Sequence, residues 1–502
     1  MKVLLIYINN EYRPMVPINL NMIEGYIKER GHTVKVFDAS FYEDVMNIQK
    51  AKTHVKIGTF ASIDYSRVGV KIKRTPVVDD MVKMISEFKP ELIGFSVYSF
   101  TENIADIMSK AIKEKFPGIP VLWGGTHPTI VPEATISKEW VDMVCVGEGE
   151  KALLDLCTKM EAGESTENTK NIWQKKDGRI IKNPVGPLID PNELPSPNFD
   201  SYASYHQYGP VEGVIYKLGL VEYNRGCPYS CAYCESSTIK EIYSATGFKK
   251  FLRYKEPNKF VEDCEILVSK YGIEFFYITD GTFLVMPDKV LEELAILYSE
   301  RVKKPFMCLA TVPTITENRV KLLKKMGCYQ VNMGIEAGNE EYRAKVLNRP
   351  KMSNEKIVKA FKLVKESGIR VSAYNIIGIP WQNRQGVFET IELNRAIQPD
   401  RTHLSIYVPY EGTQLRDRLL REGFVDDYTK LGDDTLCTVK VPSDMSEEEI
   451  LGLHRTFNLY CRVPKELFPL LKACETDNEK TSFAMEELRK IYLEKKEGKG
   501  CV

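Results

Sequence analysis

The sequence predicts an α/β protein built from a doubly wound parallel sheet, a partial barrel of parallel strands and a C-terminal helical cap. Short apolar strands alternate with amphipathic helices over residues 1–165, and the alternation restarts near Gly219 with a longer repeat. Alternating strands and helices are typical of parallel sheets covered by helices. A chain of 502 residues is too long for one core, so several domains are expected.

The first domain contains a series of short predicted strands, with helices Ile18–Arg30 and Ile104–Lys115 between them. In an open parallel sheet, ligands bind outside the carboxyl ends of the strands, so the loops at those ends are candidates for a binding site. Residues 39–75 follow no clear pattern. The predicted strands are Lys2–Ile8, Val34–Phe37, Leu92–Val97, Val121–Trp123 and Met143–Val146. The strand-end loops are Asn9–Pro17, Tyr98–Glu102, Gly124–Pro128 and Gly147–Glu150.

The second half of the chain repeats the strand–helix pattern six times, two fewer than in a complete eight-unit barrel, which predicts an open, partial barrel. A stretch rich in Pro, Asn and Asp precedes it and predicts a linker. In the tail, Ser446 and Glu449 form a capping-box pattern that begins a helix. The predicted barrel strands are Leu220–Tyr223, Phe275–Thr279, Pro305–Ala310, Gln330–Ile335, Val371–Ile377 and Leu404–Val408. The predicted division is a first domain at 1–165, a linker at 166–201, the barrel at 202–425 and a helical domain at 426–502.

Composition excludes several classes of protein. The chain has 69 basic and 69 acidic side chains, so it has no overall charge to attract nucleic acid or an anionic membrane. No apolar run is long enough to span a bilayer, and the N-terminus does not resemble an export signal. Most of the 12 cysteines show no metal spacing and are expected to be buried apolar side chains. We therefore expect a cytoplasmic protein, from a cell that lives with little oxygen.

Three cysteines, Cys227, Cys231 and Cys234, follow the first barrel strand with the spacing C-x-x-x-C-x-x-C. Four cysteines would saturate an iron–sulfur cube, but three leave one iron open. An open iron can chelate the amino and carboxylate groups of S-adenosylmethionine (SAM) and reduce it, which yields a 5′-deoxyadenosyl radical. A zinc site is the alternative, but no Cys or His lies between Cys234 and Cys264 to supply a fourth ligand. The motif predicts a redox enzyme.

The chain resembles the radical SAM superfamily at this motif and at four further strand ends, over roughly residues 1–425. Together with the N-terminal domain, it is similar to the cobalamin-binding class of these enzymes, many of which are methyltransferases. The resemblance implies a Rossmann-like cobalamin-binding domain, a partial (β/α)6 radical SAM barrel, a [4Fe-4S] cluster, SAM and cobalamin. The further matching segments are Thr279–Phe283, Gly334–Gly338, Asn375–Pro380 and Tyr407–Thr413.

The resemblance implies roles in SAM binding for several residues. Glu336 is expected to hydrogen-bond the methionine or ribose part of SAM, and Asp280 or Thr282 to orient it. An alternative for Glu336 is an ion pair with a Lys or Arg of the barrel, because a buried carboxylate needs a partner. The expected adenine contacts are Tyr233, between the second and third cysteines, and Ile376, Gly378 and Tyr407 at later strand ends.

The resemblance also implies a cobalamin site at the strand-end loops of the first domain. Gly124 and Gly125 would let the backbone approach a flat cofactor without a Cβ atom in the way. The other expected contacts in these loops are Asn10, Pro17, Ser96, Tyr98, Ser99, Phe100, His127, Gly147, Glu148 and Glu150.

Unlike many cobalamin proteins, the chain contains no Asp-x-His-x-x-Gly motif. We therefore expect base-off cobalamin with no histidine from that motif beneath the cobalt. His127 is the nearest alternative ligand, but a histidine in a Thr-His-Pro turn is more often structural. Tyr98 or Phe100 could instead cover the lower face.

These features predict an enzyme that methylates an unactivated carbon through a 5′-deoxyadenosyl radical and methylcobalamin, with flavodoxin or ferredoxin as the electron donor. One alternative is a cyclase, rearrangement or oxidation enzyme that uses the same cofactors without methyl transfer. Another is a non-catalytic cobalamin-binding module, which would not need an open iron. The substrate, a small molecule or a peptide or protein side chain, cannot be read from the residues, and nucleic acid is not expected.

Overall fold

The structure is a computed structural model that describes residues 1–46, 63–426, 441–476, 481, 483–488 and 490. It contains two seven-stranded sheets and a two-stranded ribbon, and helices cover the sheets. The predicted α/β class is confirmed. Part of the unpatterned stretch 39–75, and the C-terminal end of the predicted tail helix Ala484–Lys495, lie outside the described residues.

The first sheet has the strand order β2-β1-β3-β4-β5-β6-β7. Its first five strands are parallel, while β6 and β7 form an antiparallel hairpin that extends the sheet. The hairpin lies within residues 166–201, so that segment is not only a linker, as the sequence pattern suggested. The strands are β1 (Lys2–Tyr7), β2 (Thr33–Asp38), β3 (Leu92–Ser96), β4 (Val121–Gly124), β5 (Met143–Cys145), β6 (Ile172–Lys176) and β7 (Arg179–Lys182).

Helices pack on both faces of this sheet, as in a doubly wound fold. One apolar cluster joins the sheet to α1 and α6, and a second joins its other face to α2 and α3. Each helix contributes one apolar stripe, which the sheet removes from water. The helices are α1 (Ile18–Lys28), α2 (Val77–Phe88), α3 (Glu102–Lys115), α4 (Thr126–Ile130), α5 (Pro132–Ser137) and α6 (Glu150–Ala162).

The second sheet has the order β16-β15-β14-β13-β12-β9-β8. Six of its strands are parallel, which matches the predicted six-unit partial barrel, and β8 pairs antiparallel with β9 at one edge. A short ribbon, β10 paired with β11, stands at the carboxyl end of β9. The strands are β8 (Tyr208–Val211), β9 (Val214–Val221), β10 (Asn224–Arg225), β11 (Arg253–Tyr254), β12 (Phe275–Ile278), β13 (Phe306–Ala310), β14 (Cys328–Glu336), β15 (Arg370–Ile377) and β16 (Arg401–Ile406).

The described helices of the barrel pack on the outer face of this sheet, and a C-terminal helix packs at its edge strand β16. The predicted capping box is confirmed: the Glu449 amide donates to Ser446 Oγ at 3.2 Å, and the Ser446 amide donates to Glu449 Oε2 at 3.3 Å. In the described parts of the chain, no helix combines the length and apolar character that a membrane span requires. The helices are α7 (Glu235–Ala245), α8 (Pro257–Tyr271), α9 (Asp288–Arg301), α10 (Glu317–Met326), α11 (Glu340–Lys345), α12 (Asn354–Glu366), α13 (Arg384–Ile397), α14 (Gln414–Arg421), α15 (Glu447–Tyr460) and α16 (Phe468–Ala473).

Candidate active site between the two sheets

The three cysteines of the motif lie in the loop that joins β10 to α7. Their thiols are free and half-buried, and they are the donors that iron–sulfur clusters use. Gly226 opens the loop with φ of +87°, and a Cβ there would lie 2.5 Å from the Phe251 carbonyl oxygen, so only glycine fits. Burial raises the pKa of all three thiols, that of Cys234 to about 11, so binding of a cluster must release protons.

The described residues contain no group of three His, Cys, Asp or Glu side chains already arranged around a single metal ion. The cysteine loop is nevertheless fixed at several points. The Ala232 amide donates to the Leu347 carbonyl at 3.1 Å, and Asn348 Nδ2 donates to the Ser230 carbonyl at 2.7 Å. These bonds attach the loop to the segment that follows α11, so the thiols are held beside the carboxyl end of β14.

Asp280, a predicted SAM contact, is buried and accepts three hydrogen bonds from the strand end that precedes the cysteines. The Tyr223 and Asn224 amides donate to its Oδ1 at 2.8 and 3.1 Å, and Asn224 Nδ2 donates to its Oδ2 at 2.6 Å. Burial raises the pKa of Asp280 well above its usual range. The carboxyl group therefore positions the cysteine loop. Thr282, by contrast, has a buried hydroxyl without a hydrogen-bond partner among the described residues.

Glu336 ends β14 and pairs with Arg349 at 2.5 Å, and Arg349 Nη1 also donates to the Tyr233 hydroxyl at 3.1 Å. Glu336 thus forms the ion pair that was the alternative to a contact with SAM, although Arg349 lies in a loop and not in a barrel strand. Burial opposes the charge of Arg349, but Tyr233 and Glu336 outweigh it and raise its pKa. Sequence reasoning missed Arg349 because no local pattern marks it. The three side chains form one polar group beside Cys231.

The predicted adenine contacts come together in space. Tyr233, Ile376 and Tyr407 belong to one apolar cluster, and the buried Tyr407 hydroxyl has no hydrogen-bond partner in the described chain. Gly378 follows with φ of +66°, which favours glycine. Their contact with SAM stays a prediction, but they share one surface next to the cysteine loop.

In the first domain, the loop after β3 presents two stacked rings. Tyr98 and Phe100 lie 5.3 Å apart between centroids, with 7° between their planes. Asn19 Nδ2 donates to Ser96 Oγ at 2.9 Å and to the Tyr98 hydroxyl at 3.2 Å, and Asn10 Nδ2 donates to the Phe100 carbonyl at 3.0 Å. These bonds hold a flat apolar surface at the carboxyl edge of the sheet. Pro17 caps the start of α1 beside it.

Of the glycine pair at the end of β4, Gly125 is required for chain packing. Gly125 has φ of +106°, and a Cβ there would lie 2.7 Å from the Val97 carbonyl oxygen, whereas Gly124 has ordinary space around it. His127 is buried, with Nδ1 3.2 Å from Ser99 Oγ and with carboxylates of neighbouring loops within 4 Å. Burial lowers the pKa of His127 against the opposite effect of those carboxylates. The ring is thus held by protein groups, and both a structural role and a contact of His127 with cobalamin stay predictions.

Glu148 and Glu150 connect the two domains. Arg225, on β10, pairs with Glu150 at 2.7 Å and with Glu222 at 2.9 Å. Arg253, on β11, donates to both oxygens of Glu148, at 2.7 and 3.1 Å. Burial opposes the charge of Arg225, but the surrounding carboxylates outweigh it and raise its pKa. Both carboxylates predicted to contact cobalamin thus bind arginines, and we call these two pairs the interdomain clamp.

Gly147, next to the clamp, permits a close contact between the domains, because the Glu148 amide donates to the Tyr243 hydroxyl at 2.8 Å. Gly147 has φ of +93°, and a Cβ there would overlap the Tyr243 hydroxyl.

We expect G147A to lower the free energy of unfolding by about 1–2 kcal/mol through backbone strain, and by about 1–3 kcal/mol more through overpacking. Urea denaturation measures the total loss of unfolding free energy. G163A is the matched control, since Gly163 has φ of +66° but nothing near its Cβ position, and an equal loss in both variants would contradict the contact.

The inner face of the partial barrel carries polar rings. Tyr374 on β15 lies 4.7 Å from His403 on β16 between ring centroids, and its hydroxyl is near that of Tyr277 on β12. Burial, together with the charge of Arg401, lowers the pKa of His403 to about 4. The ring of His403 is therefore neutral at pH 7.

Acidification is expected to destabilise the protein through His403. The unfolded chain binds this proton near pH 6.5 but the folded protein only near pH 4, so between these values stability falls as the pH falls. From pH 7 to 5 the expected loss is about 2 kcal/mol. H403Q should lack this loss, so its Tm should fall less than that of the wild type over the same range. Parallel Tm curves would contradict the assignment.

Comparisons with known proteins agree with this geometry. Residues 4–157 match the B12 binding domain family, and residues 221–393 match the radical SAM superfamily. An uncharacterized methyltransferase of Pyrococcus horikoshii is 28% identical over 341 residues, 67% of this chain and 71% of the relative. The anaerobic magnesium-protoporphyrin IX monomethyl ester cyclase of Rubrivivax gelatinosus is 25% identical over 385 residues, 74% of this chain but only 66% of the cyclase.

Among solved structures, the methyltransferase TsrM of Kitasatospora setae, with cobalamin and a [4Fe-4S] cluster bound, superposes with a TM-score of 0.63. At 18% identity, over 84% of this chain and 75% of TsrM, this likeness shows the fold alone. The two matched domains, with the cysteine loop inside the second of them, define a cobalamin-dependent radical SAM enzyme. The N-terminal domain of the chain belongs to the B12 binding domain family, and its barrel belongs to the radical SAM superfamily.

Proposed function

We propose that the protein methylates an unactivated carbon of its substrate. When bound, the cluster and SAM supply the radical that removes hydrogen from that carbon, and cobalamin supplies the methyl group that replaces it. The protein's own part is to hold the two cofactor sites in one dry cavity at a fixed distance. The Tyr98–Phe100 surface and the loop with Cys227 and Cys231 serve as the two walls of this cavity.

The observation that carries the proposal is the interdomain clamp. Arg225 stands two residues before Cys227 and binds Glu150, which begins α6 in the first domain. The clamp therefore joins the carboxyl edge of the first sheet to the loop that holds the three thiols. The clamp supports a reaction that uses both domains, and the similarity to the Pyrococcus horikoshii methyltransferase favours methyl transfer.

Anaerobic turnover with SAM that carries a deuterated methyl group tests the proposal. The reconstituted enzyme, with cluster and cobalamin, is mixed with a reductant and candidate substrates, and products are analysed by mass spectrometry. We expect a product that gains the labelled methyl group, together with 5′-deoxyadenosine. Formation of 5′-deoxyadenosine with label in no product would refute methyl transfer.

A second candidate is a cyclisation or oxidation without methyl transfer, and the similarity to the Rubrivivax cyclase favours it. The same experiment separates the two functions. A product without the label would indicate cyclisation or oxidation, whereas a methyltransferase gives a product that is heavier by the labelled methyl group.

We further propose the state of the cofactors and the setting of the reaction. Cobalamin is bound base-off, with the Tyr98–Phe100 pair and no histidine beneath the cobalt, and flavodoxin or ferredoxin reduces the cluster in the cytoplasm. We assign residues 1–165, together with the hairpin of β6 and β7, to the cobalamin-binding domain, residues 202–425 to the radical domain and residues 426–502 to the helical domain. Electron paramagnetic resonance of the cob(II)alamin form tests the lower face, because a nitrogen ligand would split the signal.

A further inference from the structure

The loop that follows β1 leaves its own sheet and reaches the inner face of the barrel. Met15 packs there against Leu218, Leu220 and Phe275, which lie on the face that the barrel helices leave uncovered. Hydrogen bonds fix the backbone of this loop: the Tyr7 hydroxyl donates to the Met15 carbonyl at 3.1 Å, and the Met15 amide donates to a histidine ring nitrogen at 3.1 Å. The backbone near Met15, which includes Arg13 two residues earlier, is therefore held in a defined place between the two domains.

Arg13 occupies that place, and its guanidinium has no hydrogen bond or ion pair to any residue among those that the structure describes. Its charge acts on the hydroxyls of Tyr7 and Tyr65 in the first domain, and of Tyr277 and Tyr374 in the barrel. The side chain is half-buried. Arg13 thus places a positive charge, without an ion-pair partner in the described part of the chain, near Tyr277 and Tyr374 on the inner face of the barrel.

A half-buried guanidinium without a protein partner keeps its N–H donors available for a ligand of opposite charge. The guanidinium carries five N–H donors in a planar fork, which fits the two oxygens of a carboxylate or a phosphate. The neighbouring phenols can donate further hydrogen bonds to the same oxygens. Glu11 belongs to the same loop but is exposed, and its carboxylate is not within 4 Å of Arg13.

We propose that Arg13 binds an anionic group of the substrate, a carboxylate or a phosphate, and so selects an acidic substrate. This inference rests on the proposed function, because it assumes that the substrate lies in the cavity between the domains. The position suits an anchor: Tyr374 pairs in the sheet with Gly334, two residues before Glu336, which is bound to Arg349 beside the cysteine loop. The anion is held at one end of the cavity, and SAM and the cluster occupy the other.

Calorimetric titration of the reconstituted holoenzyme with simple probes tests the inference. The probes are phenylphosphonate, benzoate and benzamide, the last being a neutral counterpart of benzoate. We expect both anions to bind at least tenfold more tightly than benzamide. R13Q should lose at least tenfold in affinity for the anions, and R13K should keep part of it, because the charge remains while the fork is lost. R179Q, which changes an exposed arginine on β7, should bind the anions as the wild type does. Equal binding of the anions by R13Q, or equal binding of benzamide by the wild type, would overturn the inference.

The phosphate of cobalamin itself is the other possible source of an anion. Cobalamin content is therefore measured in wild type and R13Q after reconstitution, and we expect it to be equal. Loss of cobalamin from R13Q would show that Arg13 holds the cofactor and would overturn the inference. The methyl-label experiment is independent of these titrations, so a failure of methyl transfer is distinguishable from a failure of anion binding.

Discussion

Replacing Cys231 with alanine is expected to abolish SAM cleavage. The cluster needs all three thiolates, and two cannot hold a cube with an open corner. Because the cofactor carries the chemistry, the rate of 5′-deoxyadenosine formation should fall by more than about 1000-fold. The measurements are iron and sulfide content after anaerobic reconstitution, and 5′-deoxyadenosine formed with dithionite as the reductant.

Cys157→Ala is the matched control for this loss. Cys157 is buried in α6 of the first domain, where burial raises the pKa of its thiol to about 12 and keeps it protonated. C157A should retain its iron and its SAM cleavage. If C231A also kept both, the cysteine loop would not be the cluster site, and the radical chemistry would have to be abandoned.

Replacing Arg225 with methionine is expected to lower the free energy of unfolding strongly, and far more than replacing Lys151 with alanine. The side chains of Arg225 and Glu150 are only 13% and 4% exposed, so the variant leaves a carboxylate buried without its partner. Breaking such a pair costs about 3–5 kcal/mol. Urea denaturation of the apoprotein should show the loss directly.

The double variant R225M/E150Q distinguishes an unpaired charge from lost packing. Removing the carboxylate charge as well should restore part of the stability, since the two residues act as a pair. K151A is the control, because Lys151 and Glu193 form an exposed pair at 3.0 Å and such pairs contribute less than about 1 kcal/mol. An R225M protein as stable as K151A would show that the clamp does not hold the domains together.

The sequence could predict those features that depend on neighbours along the chain. Strand and helix periodicity predicted the two parallel sheets, and Ser446 and Glu449 predicted the start of α15, because hydrogen bonds within one turn determine a helix cap. The spacing of the three cysteines likewise identified the kind of cofactor. The linker was predicted only in part, since the β6–β7 hairpin completes a sheet whose other strands come earlier in the chain.

The partners of the charged residues could not be predicted, because residues far apart in the chain supply them. The sequence around Glu148 and Glu150 does not show whether these side chains face a cofactor or an arginine. Only the packing of the two domains pairs them with Arg253 and Arg225. Arg349 likewise reached Glu336 through tertiary structure. The sequence alone therefore determined the fold class and the cluster chemistry, which follow from local periodicity and spacing. Tertiary structure decided which buried charges are paired, because a buried charge is stable only beside a partner that folding brings to it.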